Sequence, residues 1–265
     1  MGRIKVLKAT GEYEPFSERK IRASLKKVGV DEEVADEIVS QLQNELYGGI
    51  PTSEIHSKVL KLLRKQRSPA TLGYNLRRAV VQLGPTGYPF ERFFAGILRY
   101  LGYRAETNRE VAGQCIKHEI DIAAEKEGKR CMVECKFHHK EGVRTDSKDA
   151  LYTYGRFLDV RDSFDKAWLV TNTKVTASVK KYGRCVGLQV TSWDYPPGRS
   201  LCAIIEKTGL HPVTALTAIS SAQKRDLLEQ GIVFCRDLTE RKLMLLPKNK
   251  QGAVKAEIAW LNRHG

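Results

Sequence analysis

The chain has 265 residues, of which 42% are hydrophobic, and its formal net charge is +14. This length allows one large core or two to three small ones, and no apolar run is long enough to span a membrane. The basic excess is spread evenly (+5 in residues 1–85, +4 in 86–195 and +5 in 196–265), which is typical of a protein that contacts nucleic acid. Composition alone leaves open that the charge only keeps the protein soluble.

The six cysteines are scattered along the chain. The one close pair, Cys131 and Cys135, falls on one face of a predicted strand and lacks the second pair that a zinc site needs. No secretory signal opens the chain. We therefore expect free thiols in a protein of the reducing cytoplasm, with no membrane association.

The first 85 residues predict a β-hairpin followed by a small helical bundle. The hairpin joins residues 4–8 to residues 11–14 through a turn at Thr10 and Gly11. Four helices follow, each with apolar residues at helical spacing, and we expect the second to run to Leu46. Their expected first residues are Ser17, Asp31, Pro51 and Ser68.

This segment resembles the ATP-cone, a nucleotide-sensing module found at the front of ribonucleotide reductases. The resemblance lies in Val6-Leu7-Lys8 with Gly11, Glu14-Pro15-Phe16-Ser17 with Lys20, Pro51-Thr52-Ser53-Glu54-Ile55 and Tyr74-Asn75-Leu76-Arg77. It implies that ATP or dATP binds here as an allosteric ligand. Lys8 and Lys20 would then meet the phosphates, and Glu14, Ser17 and Thr52 would approach the nucleoside.

The residues themselves are compatible with an anion site, because two lysines near a helix N-terminus add their charge to free backbone N–H groups. Without a Walker glycine loop, we expect no nucleotide hydrolysis in this segment. The alternative is a basic helical bundle that binds DNA.

The breaker cluster at residues 84–87 predicts a domain boundary. An amphipathic helix is expected over residues 88–101, with Phe90, Phe94 and Leu98 on its apolar stripe, and a strand follows toward Val111. Glu91 lies in the first turn of this helix. It is either a ligand for a metal or water, or an acid favoured by the helix dipole.

Two alternating runs, residues 118–123 and 131–137, predict a hairpin with its turn at residues 125–130. Strand periodicity puts Glu134 and Lys136 on one face and Val133 on the other, toward a core. On the first strand we expect Ile120 and Ile122 to share a face. The hairpin would then bring Asp121, on the opposite face, beside Glu134.

Two carboxylates and an ammonium on one patch suit phosphodiester hydrolysis. Hard carboxylate oxygens hold Mg²⁺ or Mn²⁺, which binds the substrate phosphate through its remaining positions. A neighbouring lysine orients the attacking water or stabilises the transition state. The alternative is a solvated hairpin face with a structural ion pair.

Asp121 followed by Glu134-Cys135-Lys136 resembles the signature of PD-(D/E)XK nucleases, in particular the Mrr-type restriction endonucleases. The resemblance extends through Tyr88-Pro89-Phe90-Glu91-Arg92-Phe93-Phe94 and Lys166-Ala167-Trp168-Leu169-Val170-Thr171-Asn172. It implies that Asp121, Glu134 and the Cys135 carbonyl hold the metal, that Lys136 serves the water, and that Glu91 completes the site. It also implies DNA as the substrate and a homodimer or higher homo-oligomer, since cutting two strands needs two sites.

After this hairpin we expect a helix from Asp146 or Ser147 to Leu158, a buried strand over 167–171, a helix over 173–182 and a last strand over 188–191. Leu151 and Leu158 are expected on the apolar face of the first helix. Arg156 either tracks the DNA backbone or belongs to a solvated face. The order of elements fits a mixed sheet with helices on both faces.

A second breaker at residues 196–198 begins a small helical module. We expect short helices over 201–209, 213–219 and 221–229. The stretch from Leu216 to Ile232 faintly resembles helix-hairpin-helix modules, which bind the DNA backbone. A helical oligomerisation or docking module is the alternative.

The sequence therefore predicts a multidomain α+β and α/β protein, with domains at residues 1–85, 86–195 and 196–265. The expected activity is that of a Mg²⁺-dependent endodeoxyribonuclease regulated by ATP or dATP. One alternative is a nucleotide-responsive DNA-binding regulator with a silent nuclease site. A junction-resolving enzyme is another, which shares the site but prefers branched DNA.

Overall fold

The computed structural model describes residues 4–66, 70–84, 87–140 and 142–264. Its N-terminal part combines a small sheet, ordered β2-β1-β3, with helices, as predicted. The elements are β1 (Lys5–Leu7), β2 (Tyr13–Pro15), β3 (Ile50–Pro51), α1 (Glu18–Lys27), α2 (Glu32–Gln43), α3 (Thr52–Lys65), α4 (Thr71–Tyr74) and α5 (Leu76–Val81).

The predicted hairpin and helix starts are largely confirmed. The Ser17 hydroxyl caps α1 by accepting from the Lys20 backbone N–H (3.4 Å). Helix α2 ends at Gln43, so the expected end at Leu46 is wrong. Strand β3 was not predicted because two residues give no periodic signal; it pairs in parallel with β1. The expected helix start at Ser68 lies outside the described residues.

The central part is a five-stranded mixed sheet in the order β10-β8-β6-β5-β4, with helices on both faces, which confirms the predicted architecture. A separate two-stranded ladder joins β7 to β9. The elements are α6 (Tyr88–Tyr100), β4 (Arg104–Ala112), β5 (Lys117–Lys126), β6 (Lys129–Lys136), β7 (Arg144–Thr145), α7 (Ser147–Asp159), β8 (Lys166–Thr171), β9 (Lys174–Val175), α8 (Ala177–Val186) and β10 (Gln189–Thr191).

Each face of this sheet has its own core. Val133 and Val170 pack with the aromatic side chains of α6 on one face. Met132 and Leu169 pack with Ala150 of α7 and with α8 on the other. This alternation follows from the strand period of two residues. It directs Glu134 and Lys136, which share the parity of Met132, toward α7.

The expectation that Ile120 and Ile122 share a face is wrong. Ile122 lies in the core beneath α6, whereas Ile120 lies in the core on the α7 side. The alternation of side chains between the two faces of the sheet therefore breaks at Asp121 in β5. Opposite this residue, Asn108 adopts a left-handed backbone conformation (φ 54°), and the paired register with β4 skips the Asn108–Asp121 position.

Two details of the helices on this face also differ from expectation. Leu151 and Leu158 of α7 are 52% and 44% exposed, so they do not belong to its apolar face. Helix α8 begins at Ala177, after a Thr176 cap, because Lys174 and Val175 are taken up by β9.

The C-terminal part is helical, as predicted, with α9 (Leu201–Thr208), α10 (Ser221–Glu229), α11 (Glu240–Leu243) and α12 (Lys248–His264). The expected helix over 213–219 is wrong, since only a 3-10 turn forms at Val213–Ala215. The physical reason lies 40 residues away in sequence. The Glu257 carboxylate accepts from the Thr217 and Ala218 backbone N–H groups, so these groups are not available to a helix and residues 217–219 form a bend.

One continuous core joins α5, α6 and the C-terminal helices. Leu83, Phe93 and Leu228 belong to the same buried cluster. Phe234 packs so closely on α6 that a Cβ built on Gly96 would lie 2.3 Å from its ring. Among the described residues, no helix combines the length and hydropathy required to cross a bilayer.

Candidate nuclease and nucleotide sites

Asp121 lies where β5 separates from β6. The pairing of these strands stops at Ile122 with Val133. Beyond that point the Cys135 backbone N–H donates to Asp121 Oδ2 at 2.7 Å. The Asp121 carboxylate thus takes the place of a backbone acceptor in the β5–β6 pairing. This hydrogen bond holds the carboxylate beside the end of β6.

Glu134 and Lys136 both face α7, which carries an oppositely charged partner for each. Arg156 Nη1 lies 2.5 Å from Glu134 Oε2, and Lys136 Nζ lies 2.9 Å from Asp149 Oδ1. Arg156 also donates to the Glu119 carbonyl oxygen. The shared face predicted for Glu134 and Lys136 is therefore confirmed.

The carboxyl groups of this region are electrostatically strained. Burial, followed by the negative charge of Asp121, raises the pKa of Glu134 to about 7. Burial also raises the pKa of Asp121, although the hydrogen bond from the Cys135 N–H opposes the shift. Negative charges gathered in a poorly solvated place favour protonation, and a bound cation would relieve them.

Glu91 lies in the first turn of α6 and is half-buried. Burial raises its pKa to about 7, and the charges of Asp121 and Glu119 add to the effect. The structure therefore brings Glu91 within electrostatic reach of Asp121.

The donor atoms fit a hard divalent ion. Asp121 and Glu134 supply carboxylate oxygens, and Cys135 offers its backbone carbonyl while its side chain packs toward the α6 core. Across the residues that the structure describes, no three His, Cys, Asp or Glu side chains form a ready-made metal group. An ion here would keep several waters, as Mg²⁺ does when two carboxylates bind it.

Sequence reasoning missed the roles of Asp149 and Arg156. Arg156, expected to face DNA or solvent, is 11% exposed and engages Glu134. A signal did exist, because Asp149 and Arg156 are seven residues apart and so share one helix face. Their charges are complementary to those of Lys136 and Glu134.

The expected nucleotide-binding residues gather at one end of the N-terminal sheet. Parallel pairing of Leu7 with Pro51 puts the next residues, Lys8 and Thr52, at the same strand ends. Lys8 and Lys20 both contact Glu14 Oε2, at 2.9 and 3.1 Å. Ser17 joins them through its cap on α1. The two ammonium groups thus converge on one carboxylate.

Three family profiles match consecutive parts of the chain. The ATP cone domain matches residues 4–76, the restriction endonuclease domain (Mrr type) matches residues 85–196, and the AF1548-like C-terminal domain matches residues 211–259.

Two relatives extend these matches. An uncharacterized protein of Archaeoglobus fulgidus is 43% identical over 145 residues, which make up 54% of this chain and 82% of that protein. A crystal structure of a protein of unknown function, AF1548, is 38% identical with a TM-score of 0.56, and the match covers 67% of this chain and 97% of that one. The chain therefore belongs to the AF1548-like family, and in it an ATP-cone domain is fused to an Mrr-type restriction endonuclease domain.

Proposed function

We propose that the protein is a metal-dependent DNA endonuclease whose activity is regulated by ATP or dATP bound to the ATP-cone domain. The observation that carries the proposal is the position of Asp121 at the divergence of β5 from β6, fixed to Cys135, with Glu134 and Lys136 on the neighbouring strand. The restriction endonuclease domain makes phosphodiester hydrolysis the reaction to test.

Each residue has a distinct role in this proposal. Asp121, Glu134 and the Cys135 carbonyl hold Mg²⁺ or Mn²⁺, and Glu91 holds a water or completes the site. When bound, the ion neutralises charge on the phosphate and lowers the pKa of a coordinated water. Lys136 orients the attacking water or stabilises the charge that develops on the phosphate oxygens. To do so, its ammonium exchanges Asp149 for the substrate.

One contact between the two domains supports the proposed nucleotide control. The turn after Lys8 contacts the segment that leads from the nuclease site into α7. A Cβ built on Gly142 would lie 2.9 Å from the Ala9 Cβ. A nucleotide that draws Lys8 toward its phosphates therefore acts close to this segment. It shifts activity only if it binds two arrangements of the domains unequally.

One observation favours the alternative of a DNA-binding regulator with a silent site. The two charged candidates on β6 are already paired with α7, Glu134 with Arg156 and Lys136 with Asp149. If α7 kept both ion pairs when DNA is bound, the site could not take up a metal ion. The protein would then bind DNA without cleaving it. Cleavage itself separates this alternative from the enzyme.

The test is nicking of a supercoiled plasmid by the purified full chain in Mg²⁺. Lys136→Ala should abolish nicking and leave plasmid binding in a gel-shift assay unchanged. Lys140→Ala, which removes an exposed lysine four residues further on, is the matched control and should nick normally. Nicking by Lys136→Ala at the parent rate would remove the assignment.

Two additions to the assay address regulation and DNA shape. ATP and dATP are added to the parent chain and to Lys8→Ala/Lys20→Ala, which should lose the part of the nucleotide response that the ATP-cone domain carries. Linear, nicked and branched substrates are then compared, and a strong preference for branched DNA would favour a junction-resolving enzyme. We also propose that the active form is a homodimer, since cleaving both strands requires two sites.

A further inference from the structure

A cavity of about 500 Å³ opens where the end of α5, the first turns of α6 and helix α10 meet. None of its lining residues belongs to the nuclease or nucleotide sites described above. Its apolar wall is formed by Leu83, Tyr88, Pro89 and Leu228. The cavity is therefore built from the connector after the ATP-cone, the nuclease domain and the C-terminal module together.

Part of the cavity wall belongs to the buried core. Leu83 and Leu228 are buried members of the continuous core. The Thr214 hydroxyl, which also lines the cavity, donates to the Ala79 carbonyl oxygen at 2.6 Å and ties the 3-10 turn to α5. Because its walls are held by the core, the space is largely preformed, as ligand sites usually are.

The rim of the cavity is strongly basic. Arg92, Lys224 and Arg225 line it, against the single acid Glu229 among its lining residues. Lys224 Nζ donates to the Thr214 carbonyl oxygen at 2.9 Å. An ammonium has three donors, so this contact leaves two for another acceptor.

The positive charges there are not balanced. Burial lowers the pKa of Lys224, and the charges of Arg64 and Arg78 lower it further, while Glu257 opposes the shift. Arg92 stacks over the Tyr88 ring (5.6 Å), and its guanidinium lies against Gly231, where a built Cβ would meet Nη2 at 2.6 Å. An anion in the cavity would favour the charged form of Lys224.

We propose that this cavity binds a small organic phosphate of the nucleotide class. Its phosphate lies between Lys224 and Arg225, because a guanidinium fork and an ammonium are the usual phosphate partners. Its planar ring lies on the apolar wall formed by Tyr88 and Pro89. A DNA duplex presents a convex backbone that would touch the rim and leave this wall uncovered.

The position of the cavity also links it to the nuclease site. Arg92 directly follows Glu91 in α6, so an occupant that holds Arg92 also restrains the turn that presents Glu91. This link rests on the proposed nuclease function, whereas binding in the cavity does not. The test below therefore measures binding alone.

The experiment is isothermal titration of ATP, and separately of tripolyphosphate, into the full chain carrying Lys8→Ala/Lys20→Ala, which disables the ATP-cone site. One saturable ATP site should remain, and tripolyphosphate should bind it more weakly because it lacks the ring. Adding Lys224→Met/Arg225→Met should weaken ATP binding on the order of tenfold or more.

Two further variants keep this test decisive. Ser221→Trp fills the cavity without removing a charge and should also block ATP binding. It provides the test if Lys224→Met/Arg225→Met proves too unstable to measure. Lys242→Met/Lys248→Met removes the same charge from exposed positions on the C-terminal module and should leave binding unchanged.

The proposal is overturned if no saturable ATP binding remains once Lys8 and Lys20 are replaced, or if Ser221→Trp binds ATP as its parent does. It is also overturned if the cavity variants lose duplex DNA binding while keeping ATP, which would make the rim a DNA surface. Because plasmid nicking is measured independently, an active nuclease with an empty cavity would contradict this inference only.

Discussion

The Arg156 guanidinium lies 2.5 Å from the Glu134 carboxylate, so a helix cation holds the charge that a divalent ion would otherwise balance. The same helix places Asp149 against Lys136. Both pairs join α7 to the end of β6. Helix α7 thus supplies the opposite charges to the candidate site, and the proposed metal and substrate would compete with it.

Replacing Arg156 should make the fold depend on metal. Both partners are largely buried, and breaking such a pair from one side costs on the order of 3 kcal/mol. We expect Arg156→Ala to lower the free energy of unfolding by this order, and Mg²⁺ to restore more of it in the variant than in the parent. Urea unfolding with and without Mg²⁺ measures this. Arg184→Ala, on the exposed face of α8, is the control and should change neither the free energy of unfolding nor its response to Mg²⁺. If Mg²⁺ stabilised Arg156→Ala and the parent equally, the metal would not compete with Arg156 for Glu134.

Asp121→Asn should strongly weaken metal binding while preserving the fold. The asparagine carbonyl still accepts from the Cys135 N–H, but the charge that attracts the ion is gone. Titration of Mn²⁺ should show binding in the parent and a loss on the order of tenfold or more in the variant. Asp165→Asn is a matched control, because Asp165 accepts from the Arg130 backbone N–H at 2.7 Å, away from the site. Mn²⁺ binding that survives Asp121→Asn would move the metal elsewhere.

The metal-free fold should lose stability as the pH rises toward neutrality. The pKa values of Glu134 and Glu91 are raised from 4.5 to about 7, so the folded chain holds protons that the unfolded chain releases. Between the unfolded-state pKa and the folded-state pKa, the free energy of unfolding therefore falls as the pH rises. Above the folded-state pKa these two groups cause no further change.

Urea unfolding at about pH 5.5 and about pH 8 measures this dependence. Other groups contribute to the total, so the comparison of two variants decides. Glu91→Gln should reduce the difference between the two conditions. Glu110→Gln, at an exposed carboxylate paired with Lys117, should not. Identical pH dependence in both variants would show that Glu91 does not carry the raised pKa.

The packing of α6 against the C-terminal module predicts a contrast between two helical glycines. A Cβ at Gly96 would lie 2.3 Å from the Phe234 ring, whereas a Cβ at Gly155 in α7 meets no atom within 4 Å. Gly96→Ala should destabilise the protein by about 1–3 kcal/mol through overpacking. Gly155→Ala should be neutral or stabilise it by up to about 1 kcal/mol through helix propensity. Thermal melting of both variants checks this, and equal melting temperatures would contradict the shared core.

The sequence predicted the features that depend on local periodicity. Alternation along β6 sufficed to put Glu134 and Lys136 on one face and Val133 in the core. The break in side-chain alternation at Asp121 was not predictable in the same way, because it involves Asn108 on a neighbouring strand. The failed helix over residues 213–219 has a similar cause, since Glu257 captures the Thr217 N–H from 40 residues away.

The ion-pair partners of Glu134 and Lys136 were the hardest part of the site to predict from the sequence. Asp149 and Arg156 are ordinary polar residues of an amphipathic helix until the helix is packed on the sheet. Only the crossing of α7 over the end of β6 brings them to Lys136 and Glu134. A helix-face pattern names candidates for such contacts, but the packing geometry selects among them.

The measurement that tests the central claim most directly is the conversion of supercoiled plasmid by the full chain and by Glu134→Gln, with Mg²⁺ and with EDTA. The parent should nick the plasmid in Mg²⁺ and stop in EDTA. Glu134→Gln should bind the plasmid equally well and leave it supercoiled. Nicking by Glu134→Gln at the parent rate, or nicking that persists in EDTA, would contradict hydrolysis by a metal held at Asp121 and Glu134.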